Sequence, residues 1–411
     1  MVKDLNKTAG RLAGKTRKEP MENNIDVRTF AGPVDEKWVQ EAAALVPQLR
    51  ASAEKGEELE RLPDETVDAL EAAGLLSLMT PRAHGGEQAS LATIVAALTE
   101  LAKGCGSTAW VASVYTTAPA FLSLLPDPAQ EAVYTSDNKK TFVVFSAKGS
   151  ARHVDGGYRL DGTAAFGSGQ HHAGWGCMFA TTIREDGDED IGFFLLPKSS
   201  FQVADDWKVS GMCATGSNSV VAEDVFVPTE HSVLLSSLLM GEVVPSDPYY
   251  QAPIGAFLAA AAATPIGLAR SALDLLTERI HKRGITYMPY SVQAEAPITH
   301  LQVAEATMLF DEACFHADRA MAGVSTDVGL GDLTSSIQRQ ADVSRAFDLC
   351  REVVTIAQKA SGASAIRRDN PLQRIARDIQ AIALHSRLLA SSNMEVYGAL
   401  LCGQPAMPMI L

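Results

Sequence analysis

The fold is decided by residues 141–160, which read TFVVFSAKGSARHVDGGYRL. β-branched and aromatic residues concentrate there in short runs, and Asp155-Gly156-Gly157 has the composition of a hairpin turn between two of them. Further runs of the same kind follow at 177–183, 191–196 and 220–227. The stretch therefore predicts a compact antiparallel β region that begins near Thr141.

Helical patterns lie on both sides of this region, because apolar residues recur there at three- and four-residue spacings. Before it, helices are predicted over 39–55, from Leu62-Pro63 to Gly74, from a Ser90 cap to about Gly104, and over 108–124. After it, long helical stretches cover 257–283, 298–323, 333–361 and 371–402.

The order of these elements sets the fold class as α+β, mainly α. We expect an N-terminal helical domain over 35–140, a central antiparallel β-barrel or sandwich domain over 141–235, and a C-terminal four-helix bundle over 236–411. Residues 1–34 are polar and lack a sustained period, so they are predicted to be a mobile tail.

Composition narrows the function. The 411 residues carry 35 Lys plus Arg and 49 Asp plus Glu, a formal charge of −14, which argues against a nucleic-acid or anionic-membrane partner. Six cysteines are scattered singly, as expected for reduced thiols in the cytoplasm. The apolar stretch from Phe257 to Leu276 contains Pro265 and Arg270, and it is interpreted as a buried helix rather than a membrane span.

Several catalytic motifs are absent from the sequence. It contains no G-x-G-x-x-G that opens a helix, no phosphate-binding P-loop, no G-x-S-x-G and no H-E-x-x-H. Adjacent His171 and His172 are expected to point to opposite sides of a strand, so no metal site is predicted. A nicotinamide-binding enzyme working alone is disfavoured.

Four strings occur in order along the chain: Gly104-Cys-Gly-Ser-Thr-Ala-Trp110, Phe166-Gly-Ser-Gly-Gln-His-His172, Ala214-Thr-Gly-Ser-Asn218 followed by Val225-Phe-Val-Pro228, and Asn370-Pro-Leu-Gln-Arg-Ile-Ala-Arg-Asp378. Together they resemble the acyl-CoA dehydrogenase fold over about residues 40 to 405. More closely, they resemble its flavin-dependent monooxygenase branch, which includes the oxygenase component of p-hydroxyphenylacetate 3-hydroxylase and the actinorhodin-pathway hydroxylase.

The resemblance implies a set of flavin contacts. Ser168 matches a serine beside flavin N5, and Trp110 matches a residue near the flavin, although turn chemistry and simple core packing would also explain these two. Thr215 and Ser217 are expected to hydrogen-bond either the flavin or the backbone, and Ser146 is expected to contact the flavin.

The resemblance also implies contacts between subunits. Arg283 matches an arginine that reaches a neighbouring subunit's flavin phosphates, a role that suits a permanently charged, bidentate guanidinium. Gln373 and Arg374 are expected at the flavin of an adjoining subunit, and Arg377-Asp378 is interpreted as a structural ion pair. The family is typically a homotetramer, so we expect one here.

One comparison separates a monooxygenase from a dehydrogenase. Acyl-CoA dehydrogenases need a glutamate to take the substrate's α-proton, and the two matching positions here are Ser386 and one near Leu258, neither of which is acidic. His385, the residue before Ser386, resembles a histidine that lies close to the flavin and the substrate in related phenol hydroxylases, although a buried histidine satisfied by a backbone carbonyl would also explain it. An imidazole, with an ordinary pKa of about 6.5, takes or shares a proton at neutral pH.

The implied reaction uses two components. A separate NAD(P)H-dependent reductase supplies reduced flavin, with FADH2 favoured over FMNH2, and oxygen converts it to a C4a-hydroperoxyflavin that hydroxylates an electron-rich aromatic ring. The substrate pocket is expected to include Tyr115, Ala118, Phe121 and His385. Alanines at 118 and 120, where relatives carry histidines, favour an apolar phenol or indole-type substrate. N-oxygenation of an amino sugar nucleotide and acyl-CoA dehydrogenation remain the alternatives.

Overall fold

The helices that precede the sheet include one that carries residues of the candidate site described below. The computed structural model describes residues 32–184, 187–324 and 333–406, so the predicted tail lies almost wholly outside the described residues. Within them, five α-helices precede the sheet: α1 (Glu36–Leu59), α2 (Asp64–Ala72), α3 (Leu91–Gly104), α4 (Gly106–Leu122) and α5 (Asp127–Tyr134). The Ser90 cap is confirmed, because its side chain accepts a hydrogen bond from the Thr93 amide at 3.2 Å.

Helix α4 is buried along its whole length. Its sequence, GSTAWVASVYTTAPAFL, combines small and apolar residues on every face, which is the pattern of a helix enclosed on all sides. Its polar side chains bond within the fold, as when the Ser113 and Thr117 hydroxyls donate to carbonyls of the preceding turn. The helix therefore holds its side chains in fixed positions between the sheet and the C-terminal helices.

The described residues form one seven-stranded sheet. Its strands are β1 (Thr141–Val154), β2 (Gly157–Ala164), β3 (Trp175–Ile183), β4 (Glu189–Pro197), β5 (Gln202–Val203), β6 (Val220–Pro228) and β7 (Ser232–Leu234), in the order β5-β6-β2-β1-β3-β4-β7. The predicted hairpin is confirmed, since Val154 pairs with Gly157 across the turn. The runs predicted at 142–145 and 151–154 are one strand, with an irregularity between Val144 and Gly149.

The sheet is mixed rather than entirely antiparallel, because β3 pairs with β1 in the parallel direction. The ten residues 165–174 that follow β2 carry the chain past β1 to its open edge, so that β3 begins beside Thr141. A connection that skips one strand leaves no mark in hydrophobic periodicity, and the prediction of antiparallel strands was wrong at this pair.

The two adjacent histidines lie in this connection, in a turn and not in a strand as expected. His171 Nε2 lies 2.9 Å from Asn218 Oδ1, and His172 Nε2 lies 2.9 Å from Asp64 Oδ1. The two rings are therefore engaged with different parts of the fold.

The C-terminal helices form a bundle whose fourth member is broken. They are α6 (Leu235–Leu239), α7 (Pro253–Ile280), α8 (Pro297–Ala322), α9 (Leu333–Ser361), α10 (Pro371–Ile382) and α11 (Ala390–Leu401). The single helix predicted over 371–402 is interrupted at 383–389. No Gly or Pro marks this break, which arises because tertiary contacts outweigh helix propensity there.

Helix α7 is the one described helix long and apolar enough to cross a membrane, and 94% of its most apolar window is buried inside the protein. The alanines at 259–263 let neighbouring helices approach closely. Its apolarity is accounted for by the core, as the sequence predicted.

The contact between α3 and α7 depends on a glycine. A Cβ at Gly267 would lie 2.4 Å from both the Thr99 carbonyl oxygen and Ala102 Cβ. We therefore expect Gly267→Ala to lower the free energy of unfolding by about 1–3 kcal/mol, despite alanine's better helix propensity. The control is Gly398→Ala in α11, where a Cβ meets nothing within 4 Å. That variant should gain up to about 1 kcal/mol in the same chemical denaturation experiment. Equal stability of the two variants would contradict close packing at Gly267.

Candidate active site

A continuous chain of hydrogen bonds links three separate segments. The indole Nε1 of Trp110, on α4, donates to Ser168 Oγ at 3.1 Å, and Ser168 Oγ lies 2.7 Å from Ser217 Oγ. Ser217 Oγ in turn lies 2.7 Å from Thr215 Oγ1, which donates to the carbonyl oxygen of Met212 at 2.8 Å. Four predicted cofactor residues thus meet, and Thr215 bonds the backbone, while its contact with a flavin stays a prediction.

The segment that carries Ser168 is clamped from both sides. The amides of Gly167 and Gly169 donate to the carbonyls of Asn218 and Thr215, each at 3.1 Å. Gly169 has a φ of +80°, and a Cβ there would lie 3.0 Å from the Tyr115 ring. The turn therefore requires glycine at this position.

Tyr115 supports this turn from α4. Its buried hydroxyl donates to the carbonyl of Gly169. Burial raises the pKa of Tyr115, so the hydroxyl stays protonated and remains a donor. The polar end of Tyr115 is committed to the backbone, and its expected place in the substrate pocket stays a prediction.

An aromatic cluster surrounds the predicted catalytic histidine. The His385 ring centroid lies 5.4 Å from that of Trp110 and 6.3 Å from that of Phe257. Phe257 lies 5.1 Å from Phe145, and Phe145 lies 5.5 Å from Phe121. The expected pocket residues His385 and Phe121 therefore border one cluster. Sequence reasoning assigned no role in the pocket to Phe145 or Phe257, since both read as ordinary core residues.

His385 is held neutral. Its Nδ1 is buried and finds no hydrogen-bond partner within the described ranges. Burial, and then the nearby charge of Arg387, lower the pKa of His385 to about 4. The ring is therefore neutral at pH 7, and its buried Nδ1 is left for a ligand to engage.

Arg387 was not anticipated from the sequence. Its side chain is buried, and its guanidinium carbon lies 4.5 Å from the centroid of the Phe145 ring. Burial lowers the pKa of Arg387 to about 10, so it remains a cation at pH 7. The one signal in the sequence was an arginine two residues after His385. Its burial among aromatic side chains became visible only in the structure.

Neither of the two positions expected for a dehydrogenase base carries an acidic residue. Ser386 is exposed, and Leu258 is a buried residue of α7. Residues 257–263 are phenylalanine, leucine and five alanines. These segments supply no carboxylate for abstraction of an α-proton.

Two further predicted residues, Ala118 and Ser146, lie near the cluster in sequence. Ala118 is buried on α4, one helical turn before Phe121. Ser146 is half-buried in β1, directly after Phe145. Their assigned roles in the pocket and at the flavin stay predictions.

The pair Arg377-Asp378 was predicted to form an ion pair, and this was wrong. Arg377 bonds Glu57 on α1 at 2.7 Å, and Arg374 Nε lies 3.3 Å from the other oxygen of that carboxylate. Asp378 accepts a hydrogen bond from the Met212 amide at 2.6 Å. Successive helical residues point in different directions, so neighbours in sequence serve different partners.

Asp378 is therefore the buried support of the segment that carries Thr215. Met212 has a left-handed backbone with φ of +55°, which the hydrogen bond from its amide helps to hold. Burial raises the pKa of Asp378 to about 7. Arg374 and Gln373 face this junction too, since Gln373 Oε1 accepts from Arg377 Nε at 3.0 Å.

Arg283 lies away from the aromatic cluster, exposed beyond the end of α7. It borders a cleft with Arg279 and Lys282, and Asn370 and Leu372 at the start of α10 line the opposite side. The cleft is basic, because the carboxylate of Glu278, which pairs with Lys282, is the one acid among its lining residues. Such a concentration of positive charge suits an anion.

Comparison with known proteins agrees with this geometry. The family models "Acyl-CoA dehydrogenase, N-terminal domain" and "Acyl-CoA dehydrogenase, C-terminal domain" match residues 36–135 and 259–389. The oxygenase subunit HsaA of a flavin-dependent monooxygenase from Rhodococcus jostii is 31% identical over 88% of this chain and 97% of its own length. This chain belongs to the flavin-dependent monooxygenases of the acyl-CoA dehydrogenase fold.

One further relative and one solved structure indicate which kind of monooxygenase this chain is similar to. The oxygenase component of an FADH2-dependent resorcinol hydroxylase from Rhizobium sp. is 30% identical over 89% of this chain and 93% of its own length. The structure of XiaF from Streptomyces sp. in complex with FADH2 and glycerol superposes with a TM-score of 0.83 at 27% identity, covering 92% of this chain and 97% of XiaF. The expected fold and the oxygenase component of a two-component system are confirmed.

The buried carboxyl of Asp378 makes the free energy of unfolding of this monooxygenase depend on pH. Because the pKa of Asp378 is about 7 in the folded protein against an ordinary 3.8, the stability it contributes is complete below about pH 4 and is lost as pH rises to about 7. Asp378→Asn keeps an acceptor for the Met212 amide but does not titrate. We expect the free energy of unfolding of the wild type, relative to this variant, to fall by up to about 4 kcal/mol between pH 4 and 7.

The measurement is denaturant unfolding at a series of pH values. Asp137→Asn, which removes an exposed carboxylate, is the matched control. A difference that grows with pH would contradict the prediction, because it would mean that Asp378 is stabilised as a carboxylate by Arg374 and Arg377.

Proposed function

We propose that this monooxygenase hydroxylates a phenolic or indole-type ring, and that His385 accepts a proton from the substrate. The observation that carries the proposal is the buried Nδ1 of His385, which has no hydrogen-bond partner among the described residues and lies in an aromatic cluster next to Trp110. A buried polar atom without a partner is costly unless a ligand supplies one. A phenol O–H or an indole N–H is a donor of that kind.

The residues present fit a flavin. Reduced flavin bound here would supply activation of molecular oxygen. Ser168, half-buried at the end of the hydroxyl chain, would meet the reactive edge of the ring system, and Trp110 would fix Ser168 in place. The complex of XiaF with FADH2 supports FADH2 over FMNH2.

The cluster also fits the substrate class. Phe145, Phe257 and Trp110 offer flat apolar surfaces, and the neighbouring cation of Arg387 would stabilise negative charge as a phenol loses its proton. His385, neutral because of its low pKa, would take that proton and raise the electron density of the ring. The resorcinol hydroxylase among the relatives supports a phenolic substrate.

The cleft at Arg283 supports a contribution from a second copy of the chain. Arg279 donates to the Ser361 carbonyl at 2.6 Å, and its buried Nε lacks a hydrogen-bond partner in the part of the chain that the structure describes. Flavin phosphates from a neighbouring subunit would complete this basic site, with Arg283 as their exposed ligand. The assembly we propose is the homotetramer expected from the resemblance.

The function is tested with the purified chain, a separate flavin reductase, NADH, FAD and air. Resorcinol, indole and an amino sugar nucleotide are offered in parallel, and products are identified by mass spectrometry. We expect a phenol or indole to gain one oxygen atom only when both proteins are present. Oxidation of NADH by this chain alone, or reduction of its bound flavin by an acyl-CoA without oxygen, would overturn the proposal.

Replacement of His385 separates proton acceptance from packing. His385→Asn keeps a similar volume but removes the titratable ring, so hydroxylation of a phenol should slow by about 10²–10⁴-fold, the usual contribution of a positioned base. Flavin binding should persist, and consumed oxygen should appear as hydrogen peroxide.

The pH profile gives a second readout. Because burial lowers the pKa of His385 to about 4, wild-type hydroxylation should fall as pH approaches 4 rather than near 6.5. His153→Asn, at an exposed histidine, is the control. Hydroxylation at the wild-type rate in a folded His385→Asn enzyme would remove His385 from the reaction.

A further inference from the structure

The hydroxyls of Ser168, Ser217 and Thr215 form a relay whose protons have a preferred direction. We propose that this direction makes Ser168 a hydrogen-bond acceptor toward the flavin, so that the relay selects reduced over oxidised flavin. Thr215 and Ser217 are then positioning residues that set the affinity ratio from a distance. The inference rests on the proposed function, because it requires that flavin binds beside Ser168.

The direction is fixed at the far end of the relay. The Met212 carbonyl can only accept, so the single hydroxyl proton of Thr215 is directed to it over 2.8 Å. Thr215 Oγ1 must then accept from Ser217, and Ser217 Oγ must accept from Ser168. The proton of Ser168 therefore points toward Ser217.

Trp110 reinforces this direction at the near end. Its indole Nε1 carries a proton and is a donor only, so Ser168 Oγ accepts from it at 3.1 Å. Ser168 then has one proton, given to Ser217, and two lone pairs, one of which Trp110 uses. The remaining lone pair is what Ser168 can offer to a ligand.

The opposite direction costs a hydrogen bond. If Thr215 donates to Ser217 and Ser217 donates to Ser168, the hydroxyl bond to Met212 is lost and three bonds remain of the four. Thr215 and Ser217 are 3% and 5% exposed, so water does not replace the lost bond. One net hydrogen bond corresponds to about a two- to tenfold preference for the first direction.

This preference distinguishes the two redox states of flavin. N5 of a reduced isoalloxazine carries an N–H and donates, whereas N5 of the oxidised ring has only a lone pair and accepts. Ser168 with its lone pair facing outward satisfies the reduced form and leaves the oxidised form unsatisfied. The end of the relay is also fixed in space, because Asp378 accepts from the Met212 amide at 2.6 Å.

The test compares dissociation constants of the full-length protein for FAD and, anaerobically, for FADH2. The wild type should bind FADH2 more tightly. In Thr215→Val, which removes the hydroxyl that fixes the direction, the ratio of the FAD to the FADH2 dissociation constant should fall by about two- to tenfold. Ser217→Ala should lower the ratio similarly, because the proton of Ser168 loses its acceptor.

Two variants control for packing. Thr215→Ser keeps a hydroxyl and should retain the wild-type ratio. Thr182→Val removes a buried hydroxyl that donates to the Ala151 carbonyl at 2.7 Å, outside the relay, and should also retain it. A ratio unchanged in both Thr215→Val and Ser217→Ala, in a protein that binds flavin, would overturn the relay alone. A wild type that binds neither form would overturn the proposed function, and the relay with it.

Discussion

The complete burial of α4 is the constraint on which the rest of the molecule depends. A helix with no solvent-exposed face must have each side chain matched to a neighbour, and its residues have little freedom to move. Trp110 and Tyr115 leave this helix in different directions and both end on the segment around Ser168. The position of the loop around Ser168 is thus set by a helix packed in the core. Hydrogen bonds from that helix restrict the positions that the loop can adopt.

The sequence predicted most of the long helices and strands, and the resemblance named the residues that meet at Ser168. Alternating and helical periodicities report burial directly, and the hairpin at Asp155-Gly156 follows from local turn chemistry. Two features were not predictable in this way. The parallel pairing of β1 and β3 depends on where a connection travels, and the break after Ile382 depends on contacts with distant residues.

The candidate site was harder to read than the fold, because its chemistry depends on surroundings rather than on residue type. His385 was identified, but its strongly lowered pKa follows from burial beside Arg387. Arg377 and Asp378 are adjacent in sequence and were paired for that reason, whereas the fold gives each a separate partner. Arg283 and Gln373 were expected at the flavin of a neighbouring subunit, and because they contact other parts of this chain than the aromatic cluster, that expectation stays a prediction.

The break in the fourth helix separates the residues that contact the aromatic cluster from the regular helices of the bundle. Residues 383–389 are anchored at each end by a packed helix, and Asn393 of α11 bonds the Arg387 carbonyl at 2.9 Å. Of these seven residues, His385 and Arg387 contact the aromatic cluster, whereas Leu384 and Ser386 are exposed. Substitutions within this short insert can alter the chemistry offered to a substrate without reaching the helices on either side.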